Sequence, residues 1–355
     1  MFHKALWMWN WKHGKYAVLL FFLSTIYYLS YDYYQTAKEQ QYLLLHPENL
    51  EGQKFYYQYS FYSSNTFWLA LIIIALACIL IGWERSHQHE ELLMMMPFKR
   101  RDIFLSKWFF GTFFILASFL INWVLMYFIY KSTIHFEYQS FGTFHRYFLY
   151  AIFSYIAIYT VSLCIGTFTG SIIPQGIFSI TFCVIGLGVF SLFLFFLTIN
   201  ADALYEHKDY TRFEKMYDFS KKTNISSPIL DYTIDYHYNP NSQSYMDSGK
   251  VIMIGPTSHR YYSAKVILVS IFYTISGLLL GTFLYTRSPN ENNKKIFIFH
   301  KYRSFWIWSA TIYAALIGGQ MLNSFNLLFS YYIGFFLTGI VTYFILSRLT
   351  NYKVF

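Results

Sequence analysis

The sequence predicts an all-α polytopic membrane protein of six to eight transmembrane helices, eight favoured, with a small α+β extracellular cap between spans five and six. Three observations predict it. First, of 355 residues 55% are hydrophobic and only 13% charged, whereas soluble domains carry about a quarter charged residues. That deficit leaves too little polar side chain for a water-facing surface. Second, apolar stretches near the roughly 20 residues that cross a hydrocarbon core of about 30 Å recur along the chain. Third, the charges lie between those stretches and are sorted by side.

Residues 1-15 come first. Phe2, Leu6, Trp7, Trp9 and Trp11 stand against Lys4, Lys12, His13 and Lys15, a pattern that suits an interfacial amphipathic helix. Tryptophan favours the headgroup region and lysine the anionic leaflet, so Trp7, Trp9, Trp11, Lys12 and Lys15 are the expected membrane-interface anchors. No small-x-small cleavage site follows the long, Tyr-rich apolar run, so it does not read as a cleaved signal. The candidate spans are 16-34, 66-83, 108-130, 147-168, 177-199 and 265-286, placing spans one to five within 16-199. The stretch 305-347 is too long for one crossing. Its interruption at Gly318-Gly319-Gln320 and Asn323-Ser324-Phe325-Asn326 predicts a transmembrane hairpin, with a re-entrant pair as the alternative.

Topology follows from Lys and Arg in the loops. With the N-terminus inside, segments 1-15, 84-107, 169-176, 287-303 and 348-355 hold 15 basic residues against five acidic ones, of 27 and 18 in the whole chain. Both termini and the loop 287-304 are therefore expected in the cytoplasm, the tail being 348-355. Two segments remain outside, 35-65 and 200-264. In the second, 202-222 has helix-forming composition, 229-238 alternates as a strand, and Asn239-Pro240-Asn241 supplies a turn before Val251 to Ile254.

Composition also excludes. The net charge of +9 is spread between apolar stretches, with no basic face interleaved with aromatics, so nucleic acid is not a partner. Cys78, Cys164 and Cys183 all lie in apolar segments, without disulfide or zinc spacing. His87 and His89 point to different faces of a helix and make a poor metal pair. No phosphate-binding loop G-x-x-x-x-G-K-[ST] and no H-E-x-x-H occurs, so no catalytic, cofactor or metal residue is expected in this chain. The spans hold almost no ionisable side chains (Asp32 sits at the end of the first, and Asn122 in the third is neutral), which argues against ion coupling.

The informative segment is 84-107. Its part 86-95 reads as a short helix rich in Leu and Met, ended by Pro97 and followed by Lys99, Arg100 and Arg101. Apolar side chains on a cytoplasmic helix need a groove on a partner or on the membrane, and Met suits docking surfaces. In order, Glu84-Arg85 closing a span, a short helix, Leu92-Leu93, Pro97, Lys99-Arg100-Arg101 and Lys107 resemble the ABC-2-type permeases. The amphipathic start and the large outer region before span six resemble the family's layout over roughly residues 1-286. The family's common Gly-Thr before the Leu pair is replaced by Glu90-Glu91, and the hairpin 305-347 departs from its six-span plan. The Tyr-rich outer regions and extra hairpin are most similar to the Ytr-type permeases of Gram-positive bacteria.

The resemblance implies the transmembrane subunit of an ATP-binding cassette transporter in a bacterial cell membrane. This chain would bind no cofactor; ATP and Mg would belong to a separate P-loop ATPase subunit. Its expected docking residues are Glu84, Glu90, Glu91, Leu92, Leu93, Met95, Met96, Pro97 and Arg100. A second permease chain, identical or related, is also implied. Export or extraction of a lipophilic or peptide-like substrate is expected. Mechanical action on the cell envelope, or a sensor or scaffold without an ATPase, remain as alternatives.

Overall fold

The first helix of the chain begins at Lys4 and does not stop where the lysines stop. Residues 4–45 form one rod: α1 (Lys4–Thr25), a π-helical segment Ile26–Tyr31, and α2 (Asp32–Leu45). This is a computed structural model that describes residues 3–46, 58–61, 63–87, 92–93, 95–138, 141–204, 224–225, 229, 233–235, 258–260, 266–289, 296–298, 303–322 and 328–349. The expected separate interfacial helix is thus the first turns of a rod whose second half rises beyond the expected first span. Leu6, Asn10, Gly14, Val18, Phe21 and Thr25 recur at helical spacing and are all buried. That face packs on α3 and α5, as a stripe at helical spacing must.

The remaining rods follow the predicted apolar runs. They are α3 (Ser63–Cys78), extended by a π-helical segment Ile79–Trp83 into a short α4 (Glu84–Ser86); α5 (Arg100–Ser132); a small α6 (His135–Tyr138); α7 (Gly142–Phe168); α8 (Ile172–Leu204); α9 (Val266–Arg287); α10 (Arg303–Leu322); and α11 (Leu328–Leu349). Among the described residues, five helices are long and apolar enough to cross a membrane: Ser64–Ser86, Arg100–Ser132, Phe144–Phe168, Ile267–Arg287 and Leu328–Arg348. Ile172–Cys183 and Ile307–Leu322 are shorter apolar helices. The first rod, with four lysines and a Tyr-rich second half, is not among them. The chain is a helical polytopic membrane protein, as its composition predicts.

α7 is the hub. It touches α3, α5, α8 and α9, while α1 lies against α3 and α5. Its polar side chains Ser154, Thr160, Ser162 and Thr167 are buried, and Thr160 and Thr167 donate back to carbonyls three or four residues earlier. A helix surrounded by helices must settle its polar groups in this way. Glycines set the approach of its neighbours. A Cβ on Gly111 of α5 would fall 2.1 Å from the Tyr159 ring, and one on Gly281 of α9 would fall 2.5 Å from Phe104. The Gly277/Gly281 spacing therefore serves packing within the chain, against Thr160 and Phe104.

α1 and α5 are joined in the apolar layer by neutral hydrogen bonds. Thr25 Oγ1 and Ser118 Oγ share one at 2.5 Å, Ser30 Oγ donates to Asn122 Oδ1 at 2.7 Å, and Asn122 Nδ2 donates to Ser118 O at 2.9 Å. The π segment opposite Asn122 brings Ser30 to it.

The end of the bundle bearing 84–107 and 169–176 is here the basic end; the opposite end carries the cap. There, three short antiparallel strands form a sheet in the order β1 (Gln58–Ser60), β2 (Thr233–Asp235), β3 (Ser258–Arg260), with Tyr59, Ile234 and His259 in register. β2 falls inside the strand expected at 229-238. Its partners are 58–60 and 258–260, so the sheet ties the two outer segments together; the expected hairpin arm 251-254 and the helix expected at 202-222, beyond Leu204, lie outside the described residues. At the sheet, Tyr33 and Tyr59 meet His135, whose ring lies flat on Tyr33 at 3.9 Å, and Phe61, Phe144 and Tyr147 extend the ring cluster. His135 Nε2 donates to Tyr33 O at 2.9 Å.

The hairpin α10–α11 stands apart from this body and meets it through α8. Its helices are almost in backbone contact: a Cβ on Gly334 would lie 2.4 Å from Gly318 O, and one on Gly318 would lie 2.1 Å from Thr338 Oγ1.

Candidate functional site

The basic end owes its construction to the π segment at Ile79–Trp83. Such a segment adds a residue to the turn and rotates the next stretch of helix by about 100°, one residue's step. Both Glu84 and Arg85 then point inward, and each is 1% exposed or less. Trp9 Nε1 donates to Glu84 Oε1 at 2.9 Å, and Lys107 Nζ donates to Glu84 Oε2 and to Leu80 O. Lys107, in the second turn of α5, is itself buried, and its carbonyl accepts from Tyr159 Oη at 2.8 Å. One carboxylate thereby joins α1, α3–α4 and α5.

Arg85 makes the second junction. It donates to Gly166 O and, at 2.8 Å, to Thr169 O at the C-terminal end of α7, and to Ser288 Oγ just after α9 at 3.4 Å. Its guanidinium also lies over the Tyr285 ring. The last carbonyls of a helix carry the negative end of its dipole, so a cation belongs there. Arg100 reinforces the same point by donating to Ser288 O at 2.8 Å. Isolated ions would each cost several kcal/mol to bury, and only such full pairing makes them tolerable. Close approach at this level needs glycine: a Cβ on Gly82 would sit 2.7 Å from Ile172 Cα, and one on Gly166 2.5 Å from Gln175 Nε2.

Outside these junctions lies the segment expected to dock a partner. After Ser86 the chain turns at His87; Leu92, Leu93 and Met95 are helical, and Pro97 comes next but one. Leu92 is 55% exposed, Met95 83% and Met96 38%, and Pro97 is also exposed. Leu93 is 1% exposed and belongs to the chain's own core. Among the expected docking residues, then, Leu92, Met95, Met96 and Pro97 are presented outward. Glu84 and Leu93 are turned into the chain, because the first is held by Trp9 and Lys107 and the second has core side chains to cover it. Arg100 is half-buried and engaged with the end of α9. Glu90 and Glu91 lie outside the described residues.

The expected anchors divide similarly. Trp7 meets Phe110, Phe113 and Phe114 of α5, Trp11 stacks on Phe114, and Trp9 binds Glu84. These indoles make tertiary contacts, whatever they also offer to lipid. Lys12 and Lys15 are exposed. The residues that sequence reasoning passed over are Arg85 and Lys107 as buried members of a charge network. The signal available was a Glu-Arg pair closing one apolar run and a Lys opening the next.

Among the described residues no three His, Cys, Asp or Glu side chains come together as metal ligands. Cys78, Cys164 and Cys183 are free thiols, the first two buried. The site offers charge-paired junctions between helix ends and an exposed apolar tip.

No curated protein and no solved structure matches the chain. A family profile described as ABC-2 family transporter protein matches residues 8–186, half of the 355-residue sequence. The matched stretch runs from the second turn of α1 through α7 and contains both charge junctions' donors and acceptors except Ser288, and the exposed tip. The chain belongs to the ABC-2 family of transporter proteins.

Proposed function

We propose that this membrane permease subunit of an ABC transporter is driven by a separate P-loop ATPase that docks on Leu92, Met95, Met96 and Pro97. The observation that carries this reading is the position of the exposed apolar tip on the connection from α4 to α5, the two elements that bear Glu84, Arg85 and Lys107 of the buried charge junctions. A partner pressing on the tip loads α3–α4 and α5 directly, and Glu84, Arg85 and Lys107 pass the load to α1, α7 and α9. Burying three such side chains contributes about 1.5–3 kcal/mol each, before the cost of association, which is adequate for docking. ATP and Mg are assigned to the ATPase, and a second permease chain completes the complex. The cargo proposed is lipophilic or peptide-like, exported or extracted from the membrane.

The test separates tip from core. Leu92→Asp with Met95→Asp is expected to leave insertion and thermal stability of the chain unchanged while the ATPase no longer co-purifies from native membranes. Retention of the ATPase by that variant would overturn the docking surface. Leu93→Asp serves as the contrast, since it puts a charge into the core and lowers stability itself.

A second reading, mechanical transmission to an envelope target with no cargo crossing, is favoured by one observation. The rod 4–45 is clamped at the basic end through Trp9 and reaches the cap cluster through Tyr33. ATPase stimulation by a candidate cargo in purified vesicles would support transport, and stimulation by a cap-binding partner alone would support the mechanical role.

A further inference from the structure

At the basic end, on the far side of α5 from the Glu84 junction, the N-terminus of the rod and the start of α5 enclose a cavity of about 440 Å³. Its lining falls into two halves. His3, Lys99, Arg101 and Asp102 form one, and Trp7, Leu105 and Phe109, with Ser106 between, form the other. The His3 ring rests against Phe98 with centroids 5.1 Å apart, which fixes the mouth beside Pro97 and Lys99. Lys99 and Arg101 are exposed, whereas Arg100 between them is drawn to the end of α9. Two cations thus face one carboxylate across the polar half.

The apolar half does not end at the cavity. Phe109 is the first of an exposed row on α5 that continues through Phe113, Leu116 and Leu120. These positions are one helical turn apart, so the row runs up the lipid-facing side for about 16 Å at 1.5 Å per residue. A cationic recess at the headgroup level that opens into an apolar track is shaped for an amphiphile. A soluble anion would use only the first half. The volume lies within the range of small-molecule sites, and basic pockets between spans at the positive side of a bilayer attract anionic headgroups.

We propose that this cavity binds the headgroup of an anionic phospholipid, with the phosphate against Lys99 and Arg101, Trp7 at the glycerol level, and an acyl chain along Phe109, Phe113, Leu116 and Leu120. The site abuts the docking tip through Met96, Pro97 and Phe98, so the lipid would brace the tip from the membrane side. The binding claim itself does not depend on the ATPase reading.

The full chain, purified in mild detergent, is equilibrated with mixed micelles containing phosphatidylglycerol or phosphatidylcholine, and lipid retained is measured by native mass spectrometry. Phosphatidylglycerol is expected to be retained over phosphatidylcholine. Lys99→Gln with Arg101→Gln should lower its retention about fivefold per cation removed. Lys38→Gln with Lys131→Gln, exposed basic residues of the opposite end that do not line the cavity, should leave it unchanged. Asp102→Asn should raise it. Equal retention of the two lipids, or retention indifferent to Lys99 and Arg101, would overturn the site. Displacement of the lipid by inorganic phosphate or glycerol phosphate alone would overturn it too, by showing a soluble-anion site.

Discussion

Glu84 shows how one side chain can hold three helices. Its two oxygens are taken by different partners, Trp9 and Lys107, and Lys107 reaches back to Leu80 O in the same helix as Glu84. Breaking a buried pair by removing one partner is far more costly than removing both, because the survivor keeps its charge without compensation. Glu84→Gln would leave Lys107 a buried cation without its counter-charge. It is expected to destabilise the chain by about 3–5 kcal/mol, seen as a fall in thermal midpoint in detergent. Adding Lys107→Met should recover most of that loss. Equal destabilisation by single and double variants would show that the pair does not behave as a unit. Arg85 differs in kind: its partners are backbone carbonyls and a hydroxyl, which no single substitution removes together.

At the scale of elements, the hairpin α10–α11 rests on glycine to an unusual degree, with Gly334 against the Gly318 carbonyl and Gly319 against the Tyr331 ring. Gly334→Val would force the helices apart, and overpacking of this kind costs about 1–3 kcal/mol. Cysteines at Ala315 and Gly339, where a Cβ on Gly339 would come within 3.3 Å of the Ala315 Cβ, report the contact. They are expected to cross-link in the parent chain and to lose that reaction in the Gly334→Val background.

The elements themselves were legible because lipid imposes a length on apolar runs: 108-130 and 147-168 lie inside α5 and α7, and α10 ends at Leu322 and α11 begins at Leu328 on either side of the expected interruption at 323-326, whereas the interruption expected at Gly318-Gly319-Gln320 is helical, its glycines serving close packing instead. Less legible was the fate of amphipathic surfaces. An indole prefers a half-polar setting, and both a headgroup layer and a neighbouring helix end provide one, so the composition around Trp9, expected as an anchor, does not reveal its partner Glu84. For the same reason Leu92 and Leu93 are indistinguishable in composition, and only the path of the chain decides that one faces out and the other in. The π segments at 26–31 and 79–83 leave no mark on an apolar run, yet the second decides where Glu84 and Arg85 point.

Taken whole, the molecule is built differently at its two ends. The basic end is fixed by ions, the cap end by rings packed around a histidine. Burial pushes His135 down from the ordinary 6.5 to about 4, with its hydrogen bond to Tyr33 opposing in part. A neutral imidazole in the folded state and a protonated one in the unfolded state mean that stability is full above about pH 6.5. It is lost as pH falls from there towards about 4, by about 3 kcal/mol in all at 1.36 kcal/mol per unit. The thermal midpoint is therefore expected to drop between about pH 7 and about pH 5. The drop should shrink in His135→Phe, whose ring can occupy the Tyr33 stack without titrating. A pH response identical in the two chains would place the sensitivity elsewhere.

The small sheet has a consequence for how the chain is made. β1 leaves the ribosome long before its partner, since Gln58 pairs with Asp235 and β2 in turn with Arg260. At about 5–20 residues per second, the interval is on the order of ten to forty seconds, during which α3, α5, α7 and α8 are synthesised and inserted. Throughout it β1 waits with its ladder donors and acceptors unpaired. Closure of the cap is then a late event of biogenesis, and a chain arrested before residue 233 would hold α1 to α8 while β1 stayed open to capture by other chains.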